Sequence, residues 1–411
     1  MGDEIVLSQG LLRVKIIKTD AGYIRIGSFP DILKRLRKTN IQPYIIILAP
    51  FKTGDFGDKR LGEEFIFWDS IFFKKQRLRY IAPREILKKF YDILNCTVPW
   101  DLDDERIKII RREWLDETFI PCEIPWDQEK VLENLFIYYS REGVEIRDSR
   151  GRYFVKWNEL IETRKRERPL LDIKFKDELS VYVVGSGNGF LGRTSSFIVG
   201  KEDVYYWIDP PGDIWDFGFT SSNRLDGIII SHNHEDHIAG FPLILYQYIS
   251  ENKRLKVYTA ESIWAVLLQQ FDYSRGLIER STEFFDISPY KGDIVLRGGV
   301  VLKTRWSHHC LPSGTLGFKF YDKKKCIGIS GDTKYREDIS EDLGDVAISY
   351  RWFLDTDILF HEVDKPSRHS VHTFPEDLYN LKKRLTRTRV LYYHTGFSFK
   401  NIERVQENSI Y

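Results

Sequence analysis

Apolar and polar positions give the chain two textures. In the first, short apolar runs alternate with charged helical stretches. Leu11–Ile17 has the alternation of a strand. Phe29–Thr39 carries Ile and Leu at helical spacing with basic residues between, and Tyr44–Leu48 is an unbroken apolar run that reads as a buried strand. Glu85–Leu94 reads as a short amphipathic helix and Asp103–Glu117 as a charged one. Phe136–Tyr139 and Gly151–Trp157 read as strands. Together these predict a mixed α+β domain over residues 1–165, of unknown type and without a chemical motif. The charged stretch Glu162–Pro169 is poor in apolar residues and ends in Pro, which marks a linker, placed over residues 166–178. No internal repeat is visible.

The second texture, over residues 179–411, is denser in strands. Leu179–Val184 reads as a strand and runs into Gly185-Ser186-Gly187-Asn188-Gly189. Ser196–Val199, Tyr205–Ile208 and Leu225–Ile230 follow as strands, then a helix over Pro242–Ile249 with Pro in its first turn. Further strands are expected at Lys256–Thr259, Val300–Thr304, Gly317–Tyr321, Lys325–Ile329, Ile358–Phe360 and Val390–Tyr393. Many strands with a few helices predict sheet packed on sheet with helices outside.

Composition narrows the class without supplying chemistry. The chain has 411 residues, and 42% hydrophobic content is ample for a sizeable core. With 62 basic and 61 acidic side chains the net charge is +1, so no overall field draws the molecule to a polyanion or a membrane. Four Cys are too few for a disulfide scaffold, and without a Cys-x-x-Cys pair a zinc ribbon or redox dithiol is unsupported. The apolar runs are too short to span a bilayer, and no secretory signal is visible, so a cytoplasmic protein is expected. Position is more telling than amount: all nine His lie at or after His232. Histidine is the commonest metal ligand and the usual acid or base near neutral pH, so the chemistry is expected in the C-terminal half.

The strongest motif is Ser231-His232-Asn233-His234-Glu235-Asp236-His237, placed directly after a strand. A backbone turning at a strand end lets His232 and His234 grip one ion, with Asp236 and His237 in reach of a second. This His-x-His-x-Asp-His pattern resembles the signature of the metallo-β-lactamase superfamily, and the resemblance covers roughly Leu179 to Tyr411. It implies an αβ/βα sandwich and three further ligands at strand ends. His309 of His308-His309-Cys310-Leu311-Pro312, Asp332 of the Gly331-Asp332-Thr333 turn and His394 after Val390–Tyr393 occupy those places, with Asp332 bridging. Neighbours on a strand point oppositely, so only one of His308 and His309 is a ligand; His309 fits the family pattern and His308 is left to the pocket.

Five His and two Asp suit two divalent ions, Zn first, with Mn or Fe as alternatives. Such ions lower the pKa of a shared water and present hydroxide at neutral pH. His234 stands where the superfamily's diiron flavoproteins carry Glu, which disfavours oxygen reduction. The segments Asp357–Val363 and Ser370–Thr373 resemble the His-Glu and His-Ser/Thr elements of the phosphodiesterase and ribonuclease Z-like branch. That resemblance assigns His372 as proton donor to the leaving oxygen and Glu362 as its orienting partner. Asp236 is counted with them as catalytic as well as a ligand. Asn188, Arg193 and Ser195, beside the glycine loop, and His308 are the candidate substrate contacts. Asp209, at its strand end, is expected to support the His loop.

Two spacings depart from relatives within the superfamily. The 61 residues between Asp332 and His394 leave no room for the inserted domain of the β-CASP nucleases. The 22 between His309 and Asp332 are fewer than expected of ribonuclease Z proper. The reading is a binuclear metal-dependent phosphodiesterase acting on a cyclic nucleotide, a small phosphodiester or RNA. Near-zero charge favours a small anionic substrate. The rivals are an ester, thioester or lactone hydrolase on the same metals, and a binding protein acting through residues 1–165. A homodimer and a protein partner for that N-terminal domain stay open.

Overall fold

The computed structural model describes residues 4–9, 12–28, 32–39, 41–50, 70, 74, 76–96, 115–132, 134–160, 170–171, 173–215, 218–219, 225–271, 275–309, 313–335, 346–365, 372–395, 397–399 and 402–411. Of the expected linker 166–178, residues 166–169 and 172 lie outside these residues and Leu170–Leu171 form a strand; most of the expected helix Asp103–Glu117 also lies outside them. The chain forms two compact units, the first drawn chiefly from residues before 170 and the second from 170 onward.

In the first unit, β1 (Glu4–Gln9), β2 (Leu12–Thr19), β3 (Gly22–Ile26), β4 (Ile45–Ile47), β5 (Leu78–Ala82) and β6 (Phe119–Glu123) form one sheet in that order. The first two pairings are antiparallel and the next three parallel. Helices α1 (Ile32–Thr39) and α2 (Arg84–Cys96) lie in the parallel crossovers. A second sheet, fully antiparallel, contains β7 (Gln128–Leu132), β8 (Leu135–Tyr139), β9 (Gly143–Asp148) and β10 (Gly151–Lys156). Period-two alternation on β8 buries Leu135, Ile137 and Tyr139 and leaves Phe136 outside.

The second unit adds β11 (Leu170–Leu171), β12 (Ser180–Gly185), β13 (Ser196–Lys201), β14 (Val204–Ile208), β15 (Gly218–Phe219), β16 (Leu225–Ile229), β17 (Leu255–Thr259) and β18 (Thr282–Asp286). Its first sheet runs β12-β13-β14-β16-β17-β18, two antiparallel pairings and then three parallel. Helices α3 (Glu235–Ile238), α4 (Phe241–Ser250), α5 (Glu261–Gln270) and α6 (Arg275–Ser281) connect its strands. Its second sheet orders β19 (Ile294–Val295), β20 (Val301–Ser307), β21 (Thr315–Tyr321), β22 (Cys326–Ile329), β23 (Ile358–Glu362), β24 (Arg389–Tyr393) and β25 (Glu403–Arg404). The last three are parallel to their neighbours. Between them come α7 (Tyr350–Phe353) and α8 (Pro375–Arg384), whose Leu378 and Leu381 pack on Leu359, Val390 and Tyr392. Strands β21 and β23 are buried along nearly their whole length, and β23 carries the buried polar pair His361 and Glu362 at its end. Two mixed sheets with helices between their strands match the expected αβ/βα sandwich.

No repeat shows in the sequence, yet the fold repeats. The six-stranded sheets of the two units have the same strand order and the same sequence of pairings. The match extends to single hydrogen bonds. Gly27 N–H donates to Ile47 O (3.2 Å) as Asp209 N–H does to Ile229 O (2.9 Å). Leu48 to Ile81 (3.1 Å) matches Ile230 to Tyr258 (3.0 Å), and Ile124 to Ala82 (3.1 Å) matches Ile287 to Thr259 (3.0 Å). Gly27 and Asp209 both sit in left-handed backbone, φ 78° and 48°. By this register Pro50 stands where the second unit has His232. In the other sheet of each unit, Trp157 follows the start of β10 by the same interval as Asp332 follows the start of β22. Trp157 is fully buried, its ring 5.0 Å from that of Tyr139, with Nε1 donating to Ser140 O (2.8 Å). The first unit thus closes with aromatic packing at the place where the second holds a carboxylate. Trp157→Ala should destabilise the first unit by about 3–5 kcal/mol in a denaturant titration, with no change in bound metal per chain.

Candidate metal centre

Four strand ends converge in the second unit. The ladder continues through Ile230, whose N–H donates to Tyr258 O (3.0 Å), and the chain then leaves the sheet as Ser231–His237. His234 is extended (φ −64°, ψ 144°) and caps α3, whose single turn carries Asp236 and His237. The β20 end delivers His308 and His309, with Ser307 Oγ donating to Asp332 O (2.6 Å). The β22 end turns at Gly331, φ 62°, where an added Cβ would lie 2.2 Å from Leu316 O. Only glycine permits that turn, and it presents Asp332. Finally β24 ends at His394, itself left-handed at φ 71°.

The side chains meet around Asp332. Its Oδ2 lies 3.3 Å from Nε2 of both His237 and His394, 3.8 Å from His309 Nε2 and 3.9 Å from His232 Nε2. His234 Nδ1 is 3.0 Å from Nε2 of both His232 and His309. Asp236 Oδ1 is 3.6 Å from His237 Nε2. All seven predicted ligands are buried and gathered. Of the adjacent pair, His309 turns its ring into the cluster. His308 is buried beside it, with its N–H on Thr333 Oγ1 (3.1 Å).

This geometry fits metal ions. Among the described residues, ligand atoms within 4.8 Å of one another form the groups His232/His234/His309, His232/His237/Asp332, Asp236/His237/His394 and His309/Asp332/His372. His237 Nε2 and Asp332 Oδ1 are buried without a hydrogen-bond partner, a costly state that a cation relieves. Burial, with neighbouring imidazoles, holds His232 well below its ordinary pKa. Burial does the same to His394 against the pull of Asp332. A lowered value favours the neutral ring, the form that ligates. Burial would raise the Asp332 carboxyl, but His394 and His237 hold it well below the usual range. An N/O donor set of this kind takes divalent first-row metals.

The ligands are themselves held. Asp209 Oδ2 is 2.9 Å from His237 Nδ1 and accepts Ser231 Oγ–H (2.6 Å), while its Oδ1 accepts Ser231 N–H (2.8 Å). Ser231 Oγ also lies 2.9 Å from His232 Nδ1. Asn233 Nδ2 donates to Ile263 O, and Gln270 Nε2 donates to Asn233 O, tying the His loop to α5. Ser195 Oγ lies 3.0 Å from His394 Nδ1 and donates to Gly187 O (2.7 Å). Asn188 Oδ1 accepts Phe190 and Leu191 N–H, and its Nδ2 reaches His394 O at 3.4 Å. Arg193 Nη1 donates to Val184 O (3.2 Å). Three of the four residues read from sequence as substrate contacts, Asn188, Arg193 and Ser195, therefore engage the glycine loop, and Asn188 and Ser195 engage His394.

At the edge of the cluster, His372 Nδ1 lies 3.3 Å from Glu362 Oε2. Its ring is 4.9 Å from that of His309 and 4.7 Å from that of His394. Glu362, fully buried, accepts Thr333 N–H (3.1 Å) and Thr373 N–H (2.8 Å) on Oε1. Burial would lower the His372 pKa, but the Glu362 carboxylate overrides it and raises the imidazole to about 9. Burial pushes Glu362 up in turn, opposed by His372. His361 points elsewhere, its Nδ1 2.8 Å from Glu362 O, and burial keeps it neutral. Sequence reasoning missed Ser231, Thr333 and Thr373. Ser231 alone had a usable signal, a hydroxyl placed immediately before the first ligand.

Residues 179–409 match the family model described as Anti-Pycsar protein Apyc1, more than half of the chain. The chain belongs to this family. Solved structures similar to it include the metallo-β-lactamase fold protein YhfI from Bacillus subtilis, at 17% identity and TM-score 0.47, covering 57% of this chain and 100% of that one. The short form of human tRNase Z is similar at 14% identity and TM-score 0.40, covering 56% and 98%. A long form RNase Z from yeast is similar at 11% identity and TM-score 0.40, covering 96% and 68%. No curated protein matches the chain in sequence. Among the described residues, no helix is long and apolar enough to cross a membrane. The member of the Apyc1 family described here carries a buried His and Asp cluster suited to divalent metal ions. Removing the Asp209 carboxylate, as in Asp209→Ala, should weaken zinc about 10–100-fold in a competing-chelator titration.

Proposed function

We propose that this chain is a phosphodiesterase using two divalent ions, zinc foremost, on a small phosphodiester such as a cyclic nucleotide. The observation that carries the reading is the His372–Glu362 pair beside the ligand cluster. Hydrolysis of an alkyl phosphodiester expels an alkoxide, which leaves poorly unless protonated. Bound divalent ions supply Lewis acidity and lower the pKa of water. His372 then presents Nε2–H to the leaving oxygen while the Glu362 carboxylate, 3.3 Å from Nδ1, stabilises the imidazolium. Thr333 and Thr373 keep Glu362 in place through their backbone N–H groups. Asp236, at the cluster's edge near His237, orients what binds there. An ester or thioester hydrolase has no comparable need for a donor at this position. The net charge of +1 supports a small anionic substrate over a long polyanion.

The test is a panel of cyclic nucleotides, bis-p-nitrophenyl phosphate, RNA and thioesters, with Zn²⁺ and with Mn²⁺. His372→Ala should lower turnover of cyclic nucleotides by about 10²–10⁴-fold with metal content intact. It should cost far less for p-nitrophenyl esters, whose leaving group needs no proton. Wild-type rates on cyclic nucleotides, or loss of metal from the variant, would defeat the donor assignment. Thioesters turning over faster than every phosphodiester would defeat the substrate class.

A further inference from the structure

The second unit's sheets end on β12 and on β25. The segment after β25 spans both. Val405 N–H still donates to Tyr392 O on the second sheet (3.0 Å). Asn408 N–H then donates to Val183 O (2.8 Å), Val183 N–H to Ser409 O (3.0 Å), and Val181 and Tyr411 exchange two bonds (3.1 and 2.9 Å). Residues 408–411 thus extend the first sheet alongside β12. Two further bonds shape this clasp: Gln406 N–H on Tyr411 Oη (2.8 Å) and Tyr182 Oη–H on Asn408 Oδ1 (3.0 Å).

Glu407 sits between the two anchorages, exposed at the surface. Its Oε1 accepts Ser186 N–H (3.2 Å) and Ser186 Oγ–H (3.1 Å). Ser186 is buried, and the register slips between Val183 and Gly185, just before it. The other side of Ser186 serves the metal centre: its carbonyl accepts the N–H groups of His394 (2.7 Å) and Thr395 (3.2 Å). Those two bonds hold His394 in a left-handed conformation that a non-glycine residue adopts only when its surroundings impose it. Ser195 then sets the ring through Nδ1. We infer that Glu407 is a positioning residue for the metal centre, acting through Ser186 to aim His394. It therefore controls the group Asp236/His237/His394 and leaves His232/His234/His309 to other supports.

The inference rests on the two-metal reading, and the experiment separates the two. Zinc is titrated into metal-free full-length protein by calorimetry, with stoichiometry checked by elemental analysis, for wild type, Glu407→Ala and Glu407→Gln. The expected result is two zinc ions in wild type and, in Glu407→Ala, one affinity lowered tenfold or more with the other unchanged. Glu407→Gln should bind as wild type, because its amide oxygen accepts the same two bonds. Wild type binding a single ion or none would overturn the two-metal reading itself. Unchanged affinities in Glu407→Ala, equal weakening of both ions, or a Gln variant as weak as the Ala variant would each overturn the role of Glu407.

Discussion

Everything around the site follows from one unfavourable arrangement. Four imidazole Nε2 atoms and a carboxylate oxygen point at the same buried volume, centred on Asp332. Ring nitrogens only 3.0 Å apart cannot all find hydrogen bonds within the cluster, and burial disfavours charge on His232 and His394. A chain without support would relieve this by turning rings outward. The second unit prevents that with a ring of fixed donors and acceptors: Asp209 and Ser231 behind the His loop, Ser195 behind His394, Glu362 behind His372. Their cost is recovered when a cation enters, since a pre-set ligand cage loses little freedom on binding.

Backbone conformation does part of the same work. Asp209, Gly331 and His394 are all left-handed, and all three stand at strand ends of the second unit. A strand that simply continued would send alternate side chains to opposite faces. The sharp turns redirect neighbouring residues toward one point, which is how two parallel crossovers and a hairpin serve one cluster.

The ligands were legible from sequence because four of them fall within six residues, and the others follow strands whose apolar runs are plain. Choosing His309 over His308 needed the resemblance as well as alternation. Glu362 and His372 were legible only through that resemblance. Asn188 and Ser195 were read toward substrate because polar residues in a glycine loop look available, whereas the fold turns them onto His394. Such a choice depends on tertiary position, which no local pattern carries. Helices α5, α6 and α7 and strands β1, β3, β5, β6, β7, β9 and β18 were among the elements that went unassigned, since short segments beside turns give little periodicity to read. The repetition of the fold was hidden for a related reason. Strands need only apolar alternation, which many sequences satisfy, and the first unit has no His to flag equivalent positions.

That repetition has a use beyond description. The first unit is an internal reference for what this architecture costs without ions. Its strand ends reach Gly27, Leu48, Ala82 and Ile124 by the same hydrogen bonds, and there Pro50 and the buried Trp157 stand in for polar ligands. Metal dependence is therefore not a property of the sandwich. One half of the molecule should keep its shape under a chelator while the other becomes strained, so a single chain offers a paired comparison of a fold held by packing with the same fold held by coordination.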